Sequence, residues 1–255
     1  MRGILRPLLS LAGLLLLWQA IVVIAAPPAY ILPGPWPVAR ALVVHFPELL
    51  FHLKITFLEM VAGLLLGILL GTSCAVAMIV SIRLRLWLLP LLVISQALPV
   101  FALAPVLILW FGYGMASKIA MALLIIFFPV TASFYQGMRR TNPELLELAA
   151  IMGARPRATL RHIIIPSGLP AFGAGVRMAA AVAPIGAVVG EWVGSSSGLG
   201  YYMLHANGRM QIDRMFAALV VLACLAVLLS FVVDRLLARL IFWEVEKENI
   251  HEKSA

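Results

Sequence analysis

Six apolar blocks run along this chain, at roughly 8–26, 56–81, 87–110, 117–136, 168–193 and 215–243. Each is long enough to cross the hydrocarbon core of a bilayer, which takes about 20 helical residues. In hydrocarbon every backbone N–H and C=O must be paired within the segment, so blocks of this length specify helices. No stretch alternates with a period of two, which excludes a membrane barrel. With 63% of residues hydrophobic and 12% charged, little chain is left for a separate soluble domain. The expected fold is all-α, a polytopic membrane protein with six transmembrane helices in one domain spanning 1–255.

The net charge of +8 is distributed by side, which argues against nucleic acid as a partner. With six spans and the N-terminus inside, thirteen Lys and Arg fall on the cytoplasmic side and five (Arg40, Lys54, Lys118, Arg209, Arg214) outside. Arg177 stays within or near the fifth block. The positive-inside rule then places both termini, and the connection between the fourth and fifth blocks, in the cytoplasm. The first apolar run, Leu8–Ala26, exceeds a signal-peptide core and is expected to remain as a span. Cys74 and Cys224 both lie inside blocks and behave as small apolar residues, with no disulfide or metal site expected.

The connection between the fourth and fifth blocks carries the densest local signals. It contains ELAAIMGARPRATLRHIIIP, Glu147–Pro166. Asn142 is a good N-cap, and Pro143 suits the first helical position, where a missing N–H costs nothing. Glu144 and Glu147 complement the positive end of the helix dipole. Gly153 can adopt the left-handed conformation that ends such a helix, and Pro156 can start a second short one. The expected product is a helix–turn–helix knob in which Ala149, Ala150 and Gly153 permit close backbone approach.

Elsewhere, small residues and prolines mark how the spans pack. Gly63, Gly67 and Gly71 share one helical face and suit close helix packing. Gly186, Gly190, Gly194 and Gly198 repeat the spacing, and packing near a dimer axis is the expectation there. Pro90, Pro99 and Pro105 surround Gln96 in the third block, a pattern tolerated where protein or a water-lined cavity satisfies the freed carbonyls. Gln96 therefore either hydrogen-bonds another helix or lines a solute path. After Ala26 a proline-rich stretch leads to an amphipathic segment from about Pro37, with Trp36, Phe46 and Phe51 suited to the outer interface. Beyond the fifth block, the turn-rich EWVGSSSGLG precedes a half-inserted outer segment. Glu191 is either an interfacial carboxylate paired with Arg209 or Arg214, or part of a path with Trp192 and Asn207.

Catalytic patterns are missing. The chain has no G-x-x-x-x-G-K-[ST] phosphate loop and no H-E-x-x-H helix, and no two of its five histidines have ligand-like spacing. Ser195–Ser197 lack a nucleophile-elbow context, so an intramembrane enzyme is a remote alternative.

The Glu147–Pro166 segment resembles the cytoplasmic "EAA" loop of bacterial ABC-importer permeases. That loop reads Glu-Ala-Ala, three residues, Gly, nine residues, Ile-x-Leu-Pro. Leu148 replaces the first alanine and Ile165 the leucine, both apolar exchanges. The runs WFGYG (Trp110–Gly114), FFP (Phe127–Pro129) and GLG (Gly198–Gly200) are similar to the nitrate/sulfonate/taurine permease family. The stretch Ala183–Asp213 is most similar to members assigned to the hydroxymethylpyrimidine precursor of thiamine.

The resemblance implies a type I importer-like permease of the bacterial inner membrane, with 144–166 as coupling loop and Glu147, Ala149, Ala150, Gly153, Ile163 and Pro166 as its pattern residues. It implies a homodimer, a separate cytoplasmic ATPase that binds ATP and Mg, and an external substrate-binding protein. No cofactor is expected in this chain. A translocation path near Gln96, Pro99, Glu191, Trp192 and Asn207 is the expectation, with alkanesulfonate, taurine or nitrate as the alternative cargo.

Overall fold

The computed structural model describes residues 2–243, and every regular element among them is helical. Helix α1 (Arg2–Ala25) leads to the ten-residue α2 (Pro35–Val44), which turns at His45 into α3 (Phe46–Val80). The second span thus begins at Phe46, not at residue 56. Pro47 sits in its first turn, where no intrahelical N–H bond is lost, and allows the helix to start early. At 35 residues, α3 is about 52 Å long and outreaches a bilayer core.

The third apolar block is not one helix. α4 (Ile82–Ala97) and α5 (Val100–Phe111) meet at 107°, with Leu98 and Pro99 extended between them. Pro99 cannot donate and excludes the helical conformation from Leu98, so the break falls here, while Pro90 and Pro105 are carried inside their helices. Next come α6 (Met115–Arg139), α7 (Pro143–Ile151) and the short α8 (Pro156–Thr159). A π-helical turn, Leu160–Ile164, joins α8 to α9 (Ile165–Gly194), and α10 (Leu199–Gly208) and α11 (Ile212–Leu240) complete the chain.

Among the described residues four helices are long and apolar enough to cross a membrane: α3, α6, the run Pro156–Gly194, and α11. The bent pair α4–α5 gives a fifth, and the described apolar segment of the 24-residue α1 covers Ala12–Ala25. The all-α, multi-pass fold is as expected; of the six expected spans, the third is a broken helix pair and the first is described as an apolar helix only from Ala12.

The core forms where α3, α6 and α9 pack. Ala122 of α6 is fully buried between two glycines: a Cβ on Gly63 would lie 2.6 Å from its Cβ, and one on Gly186 2.7 Å from its Cα. No side chain larger than hydrogen fits at either position. Without a hydrophobic drive between helices in lipid, such close approach gains dispersion contacts instead. Gly190 packs on Lys118 and Gly194 on Ile108. Gly186, Gly190 and Gly194 thus pack closely within the protomer, and Gly198 lies beyond the helix.

α11 closes the core with Leu225, Leu229 and Val233, and a second apolar cluster joins α2, α10 and α11 through Val38, Leu199 and Leu222. α1 stands largely exposed. Trp18 ties it down by stacking on Phe216 and by donating its Nε1–H to the Pro33 carbonyl at 3.1 Å.

Candidate functional site

The knob between α6 and α9 forms as its local sequence dictates. The Asn142 side chain accepts from the Glu144 N–H at 3.0 Å, and Pro143 opens α7. Gly153 has φ +72°, the Ala154 N–H donates to the Ala149 carbonyl and the Gly153 N–H to the Ala150 carbonyl. That pair of bonds is a Schellman cap, which satisfies two otherwise orphaned carbonyls and needs a left-handed residue at Gly153. Pro156 then opens α8 with Arg155 as its N-cap.

Glu147, Ala150 and Gly153 are exposed, whereas Ala149 is buried, and Ile163 and Pro166 are half-buried at the root of α9. The residues that dominate the knob's surface were not singled out from sequence: Leu145, Leu148, Ile151 and Met152, the last two 84% and 76% exposed. Their i, i+3, i+6, i+7 spacing along α7 and its C-cap was the available signal. The knob is thus a short capped helix that offers large apolar side chains outward.

A second constellation is buried and links four elements. Lys118 Nζ of α6 lies 2.6 Å from Glu59 Oε1 of α3, with both side chains almost fully buried. Glu191 of α9 is 1% exposed and accepts from the Thr56 hydroxyl at 2.6 Å and from the Gly200 N–H. The Leu199 N–H donates to Thr56 Oγ1 at 2.8 Å, and the Gly198 N–H to His52 Nδ1 at 3.0 Å. The first three N–H groups at the start of α10, which have no intrahelical acceptors, are thus each taken by a side chain of α3 or α9.

Gly198, at φ +109°, makes the turn possible, since a Cβ there would collide with the Glu191 carboxylate. Within the turn-rich stretch, Ser195 and Ser197 bond to each other and Gly198, Leu199 and Gly200 are tied to α3 and α9, and among the described residues Glu191 does not pair with Arg209 or Arg214. Lys118, assigned to the outer side from sequence, is inside the bundle. Glu59 was missed, because its partner Lys118 lies 59 residues away and no local pattern links the two.

The remaining path candidates do not converge on Glu191. Gln96 and Pro99 are exposed at the α4–α5 bend, Trp192 is 45% exposed and Asn207 is exposed on α10. Gln96 makes no hydrogen bond among the described residues, so an interhelical bond is not formed within the protomer. A cavity of about 380 Å³ is lined by Tyr113, Lys118 and Ser195–Ser197. Arg177, unplaced by the sequence, donates its Nε–H to Asp234 at 2.8 Å across α9 and α11. Among the described residues no group of His, Cys, Asp or Glu could hold a metal.

Comparison with known proteins places this geometry. The family described as "Binding-protein-dependent transport system inner membrane component" matches residues 63–242. A probable ABC transporter permease protein of Haemophilus influenzae is 52% identical over 242 residues, covering 95% of this chain and 98% of that one. A formylaminopyrimidine transport permease protein, ThiX, of Halalkalibacterium halodurans is 37% identical over 225 residues, covering 88% and 90%. Among solved structures, a chain of the MetNI methionine ABC transporter in an inward-facing conformation superposes with a TM-score of 0.58 at 21% identity, covering 80% of this chain and 96% of that one.

Proposed function

The chain belongs to the family of binding-protein-dependent transport-system inner-membrane components, and from that premise we propose what it carries and how it is driven. It is a multi-pass inner-membrane protein, the permease subunit of an ABC importer and not an enzyme; ATP hydrolysis belongs to a separate subunit, and an external binding protein delivers the solute.

In our reading two copies of this chain form the translocation unit, with both termini and the Glu144–Pro166 knob on the cytoplasmic side. The apolar surface of α7 seats in a groove of the ATPase, so that closure of the ATPases moves the knob and tilts α9. The observation that carries this reading is a fully capped helix whose large side chains, Leu148, Ile151 and Met152, point outward.

For the cargo we favour a neutral, hydrogen-bonding aminopyrimidine of the hydroxymethylpyrimidine type. Similarity to a permease named for formylaminopyrimidine supports it. So does the charge balance: Lys118 is the cation that an anion path would need, but Glu59 already neutralises it at 2.6 Å. The cavity beside Ser195–Ser197 therefore offers polar groups without net positive charge, which suits a flat amine-bearing ring better than a sulfonate. The test is growth of a strain unable to make thiamine's pyrimidine half, on limiting external precursor, with and without this gene. Growth that depends on the gene is expected. Equal growth, with loss of taurine or alkanesulfonate use on deletion, would assign the chain to the sulfonate branch.

A further inference from the structure

A cavity of about 500 Å³ opens between α4 and α6, outside both sites described above. One wall is apolar, with Leu89, Leu92 and Phe128, and the rim carries Gln136, Arg139 and Arg140. Tyr135 also lines it. This ring is 4% exposed, and its hydroxyl is buried with no hydrogen-bond partner. Such a group is costly to leave unmade, so a ligand that supplies an acceptor removes a standing penalty.

The two arginines are free to act. Neither forms an ion pair among the described residues, and the Arg139 guanidinium lies over the Tyr135 ring, 5.8 Å from its centroid. The depth of the cavity follows from its neighbours. Arg139 ends α6, and α4 starts with Arg83 and Arg85 followed by Trp87, which is 76% exposed. A basic pair followed by an exposed tryptophan marks a membrane–water boundary. The cationic rim is thus at headgroup level, and the apolar wall runs into the acyl region.

We propose that this cavity binds an acidic phospholipid of the inner leaflet. Arg139 and Arg140 hold its phosphate, the Tyr135 hydroxyl donates to a headgroup or ester oxygen, and an acyl chain lies along Leu89, Leu92 and Phe128. A small polar solute would satisfy the rim and leave the wall unfilled; a phospholipid matches both. Arg140 is two residues from Asn142, the cap of the coupling knob, so occupancy would order the root of the knob. The assignment to the inner leaflet rests on the orientation proposed above.

The permease–ATPase complex is reconstituted in phosphatidylcholine vesicles with or without phosphatidylglycerol, and lipid retained after mild extraction is measured by native mass spectrometry. Wild type is expected to retain phosphatidylglycerol in preference to phosphatidylcholine. The double substitution Arg139→Gln/Arg140→Gln should weaken retention about thirty-fold, from about five-fold per arginine at an anionic surface. Arg139→Lys/Arg140→Lys should keep most of it, and Tyr135→Phe should lose about three-fold. Unchanged retention in the glutamine variant, or equal retention of phosphatidylcholine, overturns the proposal. Displacement of the lipid by a soluble aminopyrimidine would overturn it too, by making the cavity part of the solute path. Co-purification of the ATPase, scored on the same samples, reports on the permease reading separately and verifies that each variant is folded.

Discussion

Replacing Lys118 by methionine isolates the energetics of the buried constellation. The substitution keeps the length of the side chain and its contact with Gly190, but removes the ammonium 2.6 Å from Glu59. Glu59 Oε2 already lacks a hydrogen-bond partner, so the buried carboxylate would lose the only cation paired with it among the described residues. Removing one partner of a buried pair costs about 3–5 kcal/mol, because the stranded charge cannot reach water. At about 2–4 °C per kcal/mol for a chain of this size, the unfolding midpoint should fall by on the order of 10 °C. The double variant Glu59→Met/Lys118→Met removes both charges and fills the site with apolar atoms, so it should regain at least half of that loss. Intrinsic tryptophan fluorescence of the detergent-solubilised complex during heating measures both midpoints. A Lys118→Met midpoint within about 2 °C of wild type would refute the reasoning, as would a double variant at the sum of the two singles.

Three further outcomes are expected. Ile151→Asp and Leu148→Asp should abolish ATPase co-purification and uptake while leaving the protein inserted, since both side chains are exposed and a carboxylate there would be desolvated by docking; Ala149→Glu should instead destabilise the knob itself, as Ala149 is buried. Gly198→Ala should cost at least about 2–3 kcal/mol, from the φ of +109° and the collision with Glu191, and should be visible as loss of protection of the Leu199 and Gly200 amides in hydrogen exchange. Cysteines placed at Arg155 and Lys247 should react only from the cytoplasmic side and one at Arg40 only from outside, with cross-linking trapping a homodimer; Lys247 lies outside the described residues.

The parts of the fold visible in the sequence are those determined by neighbouring residues. Asn142, Pro143, Gly153 and Pro156 each act within four residues of their own position, and the knob's caps follow from them. The apolar blocks were likewise legible, because membrane-spanning length is a local property. Long-range pairing was not. Glu59 and Lys118 are 59 residues apart, and Thr56 and Glu191 are 135 apart, so no local pattern links them. For the same reason Glu191 could be seen as unusual but not as the acceptor for the start of α10. The bend at Leu98–Pro99 was half visible: three prolines marked an interruption, but which one breaks the helix depends on what packs around each.

The run from Pro156 to Gly194 is continuously helical over 39 residues, through the π turn at Leu160–Ile164. At 1.5 Å per residue it is a rod of about 58 Å. One end carries the α7–α8 knob, and the other leads directly into the Ser195–Ser197 wall of the cavity beside Lys118. A lever of that length moves its far end by about 1 Å for each degree of tilt. A few degrees of rotation imposed at the knob would therefore shift the serine wall by the diameter of a water molecule. Because Glu191 and Thr56 fasten α10 to the same end, that shift would be shared by α10 rather than absorbed by a slack loop.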